Sequence, residues 1–152
     1  MSQHPEADAR LATVLKANAA FSIVSAVVLF AFSGTLAGLF LHDPAATVAG
    51  LSAASVLQIL AVLLLPFAGF AAWAANDPSN RRWAVWTIVA LDIDWVIATA
   101  LLLVFAGSAF TTAGWVALIA IAAAVDVFAT LQFLGLRRTR TALPGSAQPA
   151  AA

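Results

Sequence analysis

Between Lys16 and Arg81, and again between Arg82 and Arg137, the chain carries no basic residue and is almost continuously apolar. Stretches of that length cannot be buried inside a soluble domain of 152 residues. Hydrophobic residues make up 63% and charged residues 9%, where a soluble domain carries about 25% charged. Mean hydropathy is +0.99. A span of the hydrocarbon core needs about 20 apolar residues, so the chain has room for four such helices and short connections. The predicted fold is therefore all-α: a polytopic membrane protein built as one four-transmembrane-helix bundle.

Local signals place the spans. The first runs from about residue 17 to 41, and Ser33 and Gly34 bend it or end its regular part. Its apolar run exceeds the core of a cleaved signal peptide, and no small-residue cleavage site closes it, so a retained helix is expected. Asp43 and Pro44 read as an N-cap followed by a first-turn proline, starting a second span at about 46 to 75 that Pro66 should kink. Asp77 and Pro78 repeat that signal for the third, about 83 to 105. Thr111 or Thr112 caps the fourth, about 113 to 136. The transmembrane domain is thus 11–138, between an N-terminus (1–10) and a tail (139–152) that are too poor in large apolar residues to fold alone.

All seven Lys and Arg residues fall on one side of this arrangement, at Arg10 and Lys16, at Arg81 and Arg82, and at Arg137, Arg138 and Arg140. The positive-inside rule then puts both termini in the cytoplasm. Trp73, Trp83 and Trp86 mark the cytoplasmic interface and Trp115 the outer one. The expected location is a bacterial-type cytoplasmic (inner) membrane, crossed several times, with the lipid bilayer as the first partner.

Asp92, Asp94 and Asp126 carry the functional signal. Counting from Arg82 and Arg137 puts all three about 15 to 18 Å deep, near the middle of a core about 30 Å thick. Each costs about 2.5 to 3.5 kcal/mol to insert, and no Lys or Arg shares that depth. Such carboxyls can exchange a proton for sodium or an organic cation, and Trp95 can offer its ring face to one. Asp92 and Asp94 stand about 200° apart on their helix, so one is expected to meet Asp126 across the third-to-fourth hairpin, while the other faces elsewhere. The alternative reading is packing by hydrogen bonds to Gln58, Thr87, Thr99 and Thr130, each worth only about 0.6 kcal/mol. Gln58 and Asn18, the latter expected near the cytoplasmic end of the first helix, can line a site or join helices.

Other classes find little support. No cysteine is present, which excludes disulfides and thiol redox chemistry. His4 and His42 lie too far apart in sequence and context to suggest a metal or haem pair, and no cofactor is expected. No nucleophile motif, phosphate loop or nucleic-acid surface is visible, so an enzyme or nucleic-acid binder is not expected. Gly34 and Gly38 form a small-xxx-small pair suited to tight packing or self-association. Setting Phe21 against Trp95 gives a short internal likeness in which Asn18 meets Asp92 and Ser25 meets Thr99.

Four short spans with an intramembrane carboxylate also describe small multidrug exporters, whose carboxylate is a glutamate of the first helix. The span 17–41 here has no acidic residue, so this similarity is one of architecture. The leading expectation is a small transporter, coupled to protons or to a small cation, that uses Asp94 and Asp126 with Asp92 close behind and works as a homo-oligomer. The alternative is a non-catalytic accessory or assembly subunit whose aspartates pair with basic residues on a partner membrane protein.

Overall fold

The computed structural model describes residues 5–140, and side chains over 6–138. Residues 1–4 with His4, and 141–152 of the expected tail, lie outside the described residues. Four helices are long and apolar enough to cross a membrane, within Glu6–Ala31, Ala53–Ala75, Arg82–Ala109 and Thr112–Arg138. The expected helical architecture is therefore present. The elements in order are α1 (Pro5–Ala31), α2 (Ser33–Phe40), β1 (Thr47–Val48), β2 (Leu51–Ser52), α3 (Ala53–Ala75), α4 (Arg82–Ala106), a 3-10 turn at Gly107–Ala109, and α5 (Thr112–Arg140).

Two boundaries and one capping role differ from those read in the sequence. The first helix begins at Pro5, so residues 5–10 are helical rather than part of an unfolded tail. Proline suits a helix's first turn, and Glu6 and Asp8 favour its positive N-terminal end. That helix ends at Ala31; Phe32 leaves helical geometry (φ −115°, ψ 18°) and α2 starts afresh at Ser33. The second spanning helix starts at Ala53, not near 46. Asp43 instead accepts from the Ala45 N–H within its own turn, and residues 47–52 form an antiparallel hairpin turned by Ala49 and Gly50, both at positive φ. Ser52 then caps α3 through the Ser55 N–H at 3.2 Å. α3 runs on through Pro66.

The third difference is at Asp77. It organises the connection rather than capping α4, which starts five residues later at Arg82. Its carboxylate accepts from the Asn80 side chain (2.8 Å), the Ser79 hydroxyl (3.1 Å) and the Asn80 N–H (3.4 Å). The Asn80 side chain first, and then its backbone N–H, hold this exposed carboxyl below its usual 3.8. In the same connection Arg81 hydrogen-bonds the Trp73 carbonyl, and its guanidinium lies 4.2 Å from the Trp73 ring centre.

α1 packs chiefly on α3 and α4 on α5, and α1 also lies along α5. This leaves α1 and α4 diagonal to each other. The arginine end is held by one apolar cluster that includes Leu11, Leu15, Val85, Ile88, Val89 and Leu136. The beginning of α1 and the end of α5 therefore lie together, with Arg82 donating to the Leu136 carbonyl. At the opposite end, Thr111 does two jobs. Its hydroxyl caps α5 through the Gly114 N–H (3.1 Å) and donates to the Leu39 carbonyl (2.6 Å), while Leu41 bridges Phe110.

Packing is inverted relative to a soluble protein. The buried face of α3 is alanine throughout, whereas Val104 and Phe105 are 75% and 83% exposed. Lipid solvates large aliphatic side chains as well as a core does, so small residues fill the helix contacts. At Gly34 and Gly38, by contrast, an added Cβ meets open space among the described residues. At Gly114 a Cβ would sit 2.4 Å from the Phe40 carbonyl oxygen.

Two outcomes follow from this geometry. Gly114→Ala should destabilise the purified protein by about 1–3 kcal/mol through overpacking, while Gly34→Ala leaves its unfolding midpoint unchanged; unfolding in detergent distinguishes them. Because the folded Asp77 carboxyl titrates below the unfolded one, its stabilising contribution is complete above about pH 3.8 and is lost as pH falls through the lower folded value. Trp73 fluorescence should report that acid step, and Asp77→Asn should abolish it.

Candidate functional site

The spacing of buried positions selects which polar side chains face inward. On α1 the buried stripe is Leu11, Leu15, Asn18, Ser22 and Ala26; on α4 it is Val85, Ile88, Asp92 and Thr99; on α5 it is Val125, Ala129, Gln132 and Leu136. Steps of three, four and seven residues keep one face of a helix turned to its neighbours. Asp92 therefore points into the bundle, and Asp94, about 200° away, points out.

Asp92 is 4% exposed. Its Oδ2 accepts from Asn18 Nδ2 at 2.8 Å and from Gln132 Nε2 at 3.3 Å, so three helices meet at one carboxyl oxygen. Asn18 and Gln132 are 1% and 0% exposed. The Ser22 hydroxyl donates to the Asn18 carbonyl at 2.9 Å and extends the polar patch by one turn. Asp92 makes no ion pair among the described residues. Gln132 Oε1 is fully buried and accepts no hydrogen bond.

Depth is set by three separate counts. Asn18 lies eight residues from Arg10, Asp92 ten from Arg82 and Gln132 five from Arg137, or about 12, 15 and 8 Å along the helix axes, while the exposed Lys16 is only two residues, about 3 Å, from Asn18, so a lysine does share the depth expected to hold none. Side chains lean toward the start of their own helix, which lowers Asp92 and raises Gln132 until they meet. The site thus sits on the arginine side of the middle, rather than at the midplane expected for Asp92. Asn18 is mid-helix rather than near a helix end, because α1 begins at Pro5.

The other sequence candidates are placed elsewhere. Asp94 and Asp126 are both exposed, and neither forms a hydrogen bond or ion pair among the described residues. The expected meeting of Asp126 with Asp92 or Asp94 is replaced by the Asn18–Asp92–Gln132 contact. Gln58 donates to Ser33 Oγ at 3.1 Å, well away from the site. Thr87 and Thr99 donate to their own helix, to the Trp83 and Trp95 carbonyls, and Thr130 is exposed. Trp95 is half-buried and stacks on no ring or cation among the described residues.

Gln132 is the residue that the sequence reading missed. Its signal was available: it is the only amide side chain in α5 and falls on the Val125–Ala129–Leu136 stripe, one step off Asp126. No group of three or more His, Cys, Asp or Glu that could hold a metal ion occurs among the described residues. Comparisons with protein-family models, with curated proteins and with solved structures return no match.

Chemically, the site supports two hydrogen-bonding states. An ionised Asp92 accepts both amide N–H groups. A protonated Asp92 has a proton to donate, and half a turn of the Gln132 amide would present Oε1 to receive it. Replacing Asn18 by alanine should lower stability by about 1–3 kcal/mol, since it strips a donor from a buried carboxyl. That loss should shrink in an Asp92→Asn background, because the two residues act as a unit. Asp94→Asn and Asp126→Asn should each shift unfolding by less than about 0.5 kcal/mol. Unfolding of the four variants and the double variant in detergent is the measurement.

Proposed function

We propose that this protein is a small proton- or cation-coupled membrane transporter in which Asp92 is the exchanging carboxyl, with Asn18 and Gln132 as its hydrogen-bonding partners. The observation that carries this reading is a buried acid with no cationic partner, held by two amides, one of which keeps an unused acceptor beside it. Buried polar groups without partners are uncommon and mark places where a proton, water or ion is accommodated. A purely structural role is a weaker account, because interhelical hydrogen bonds of this kind average about 0.6 kcal/mol, below the cost of inserting one aspartate. The reading shifts the leading role from Asp94 and Asp126 to Asp92.

The arginine end would face the cytoplasm by the positive-inside rule, in a bacterial-type inner membrane. Trp73, Trp83 and Phe70, with ring centres 5.8 to 5.9 Å apart, supply an aromatic belt at that end. Function as a homo-oligomer fits the open small-residue face at Gly34 and Gly38. No enzymatic reaction and no cofactor belong to this proposal.

A second reading rests on a different observation. Asp94 and Asp126 project from membrane-spanning helices with no hydrogen bond or ion pair among the described residues, as expected for an accessory subunit that pairs with basic residues on a partner helix.

Flux measurements separate the two readings. Purified protein in liposomes loaded with a pH-sensitive dye, challenged with sodium and a panel of organic cations, should show coupled proton movement. Asp92→Asn should reduce it roughly tenfold or more, as loss of the exchanging group requires. Asp94→Asn and Asp126→Asn should leave flux intact. Absence of flux in the parent, with loss of a copurifying membrane protein in the Asp94 and Asp126 variants, would establish the accessory role instead.

A further inference from the structure

The interior differs on the two sides of Asp92. One turn toward the arginine end, on each of the three helices that form the site, stand Leu15, Ile88 with Val89, and Leu136, all 0–2% exposed and all within one contiguous apolar cluster. On the other side the buried positions include Ser22, Ala26, Thr99, Ala129 and Val125, hydroxyl-bearing or no larger than valine, beside the half-buried Phe21–Phe128 ring pair. Ser22 and Thr99 commit their hydroxyl protons to the Asn18 and Trp95 carbonyls, each at 2.9 Å. Their oxygens therefore remain available as acceptors. Ser33, hydrogen-bonded to the exposed Gln58, continues the polar positions toward the far end.

A second, independent observation concerns the site itself. Gln132 Oε1 lies in the site, fully buried, and lacks a donor. Water or an acid proton would satisfy it, and a close-packed layer of leucine and isoleucine offers neither groups to solvate a water nor room to pass one.

We infer that Asp92 exchanges its proton with the membrane face opposite the arginines, along the Ser22–Thr99 side of the bundle, and that the Leu15–Ile88–Leu136 layer closes the arginine face. This rests on the reading of Asp92 as the exchanging carboxyl. The charged groups nearest in sequence on the surrounding helices are Lys16, Asp94 and Asp126, all exposed, and α3 contributes none. Arg10, Arg82 and Arg137 lie beyond the apolar layer. The sidedness therefore comes from packing and not from a gating ion pair.

The test uses full-length protein in liposomes, oriented in one direction by capture through a terminal tag. A pH step is applied to one face at a time, and the carboxyl stretch of Asp92 is followed by infrared difference spectroscopy, assigned by its disappearance in Asp92→Asn. The expected result is a response to the face opposite the arginines that is roughly tenfold or more faster than to the arginine face, the apolar layer being the barrier. Leu15→Ala should accelerate the arginine-face response, and Ser22→Val should slow the other. Equal response to both faces, or a faster response to the arginine face, overturns the sidedness and leaves the transporter reading standing. A carboxyl band that follows neither face overturns both.

Discussion

The contact that orients the helices is the hydrogen bond from Asn18 to Asp92, because it joins the two that are otherwise diagonal. Helix pairs in lipid gain little from burying aliphatic surface, which the lipid solvates equally well. Asp92 meets two amide donors on neighbouring helices, and this pairing sets the rotation of α4 about its own axis even though it leaves a second carboxyl, Asp94, outside. That rotation decides the rest. Val85, Ile88 and Thr99 share the inward face with it, and Asp94 is carried to the outside by the same turn. Gln132 closes the arrangement from α5, so a single oxygen atom sets the relative orientation of three helices.

Such an anchor requires close helix approach, and the composition of α3 provides it. Ala61, Ala68, Ala71, Ala74 and Ala75 are buried where larger residues would hold the helices apart. The bulk of the chain's apolar volume points outward into lipid. The one region where large aliphatic side chains turn inward, at the arginine end, is correspondingly the region most like the core of a soluble protein.

Much of this was legible in the sequence, and the failures have identifiable causes. Apolar length and the confinement of Lys and Arg located four spanning helices, since both signals depend on the solvent rather than on tertiary contacts. Helix-start signals misled where a short polar motif had two local solutions, shifting the boundary at Asp43–Pro44 but only the cap at Asp77–Pro78. Asp43–Pro44 and Asp77–Pro78 both read as helix starts, yet each aspartate bonds within its own turn, and Ser52 and Arg81 take the boundary positions. The three aspartates were recognised as unusual, but depth alone cannot rank them. Helical phase can: Asp92 and Gln132 fall on buried stripes, while Asp94 and Asp126 do not.

The interruption at Phe32 has a mechanical consequence. α2 is fastened to the start of α5 by the Leu41–Phe110 bridge and by Thr111, which contacts both Leu39 and Phe40. It packs chiefly on α3 and is also fastened to the start of α5, although the chain delivers it from α1. Because the Phe32 N–H still bonds the Val28 carbonyl and the Leu36 N–H the Phe32 carbonyl, the interruption redirects the helix without cutting it, and α1 is tied through α2 to the start of α5, the loop at the far end acting as a clasp.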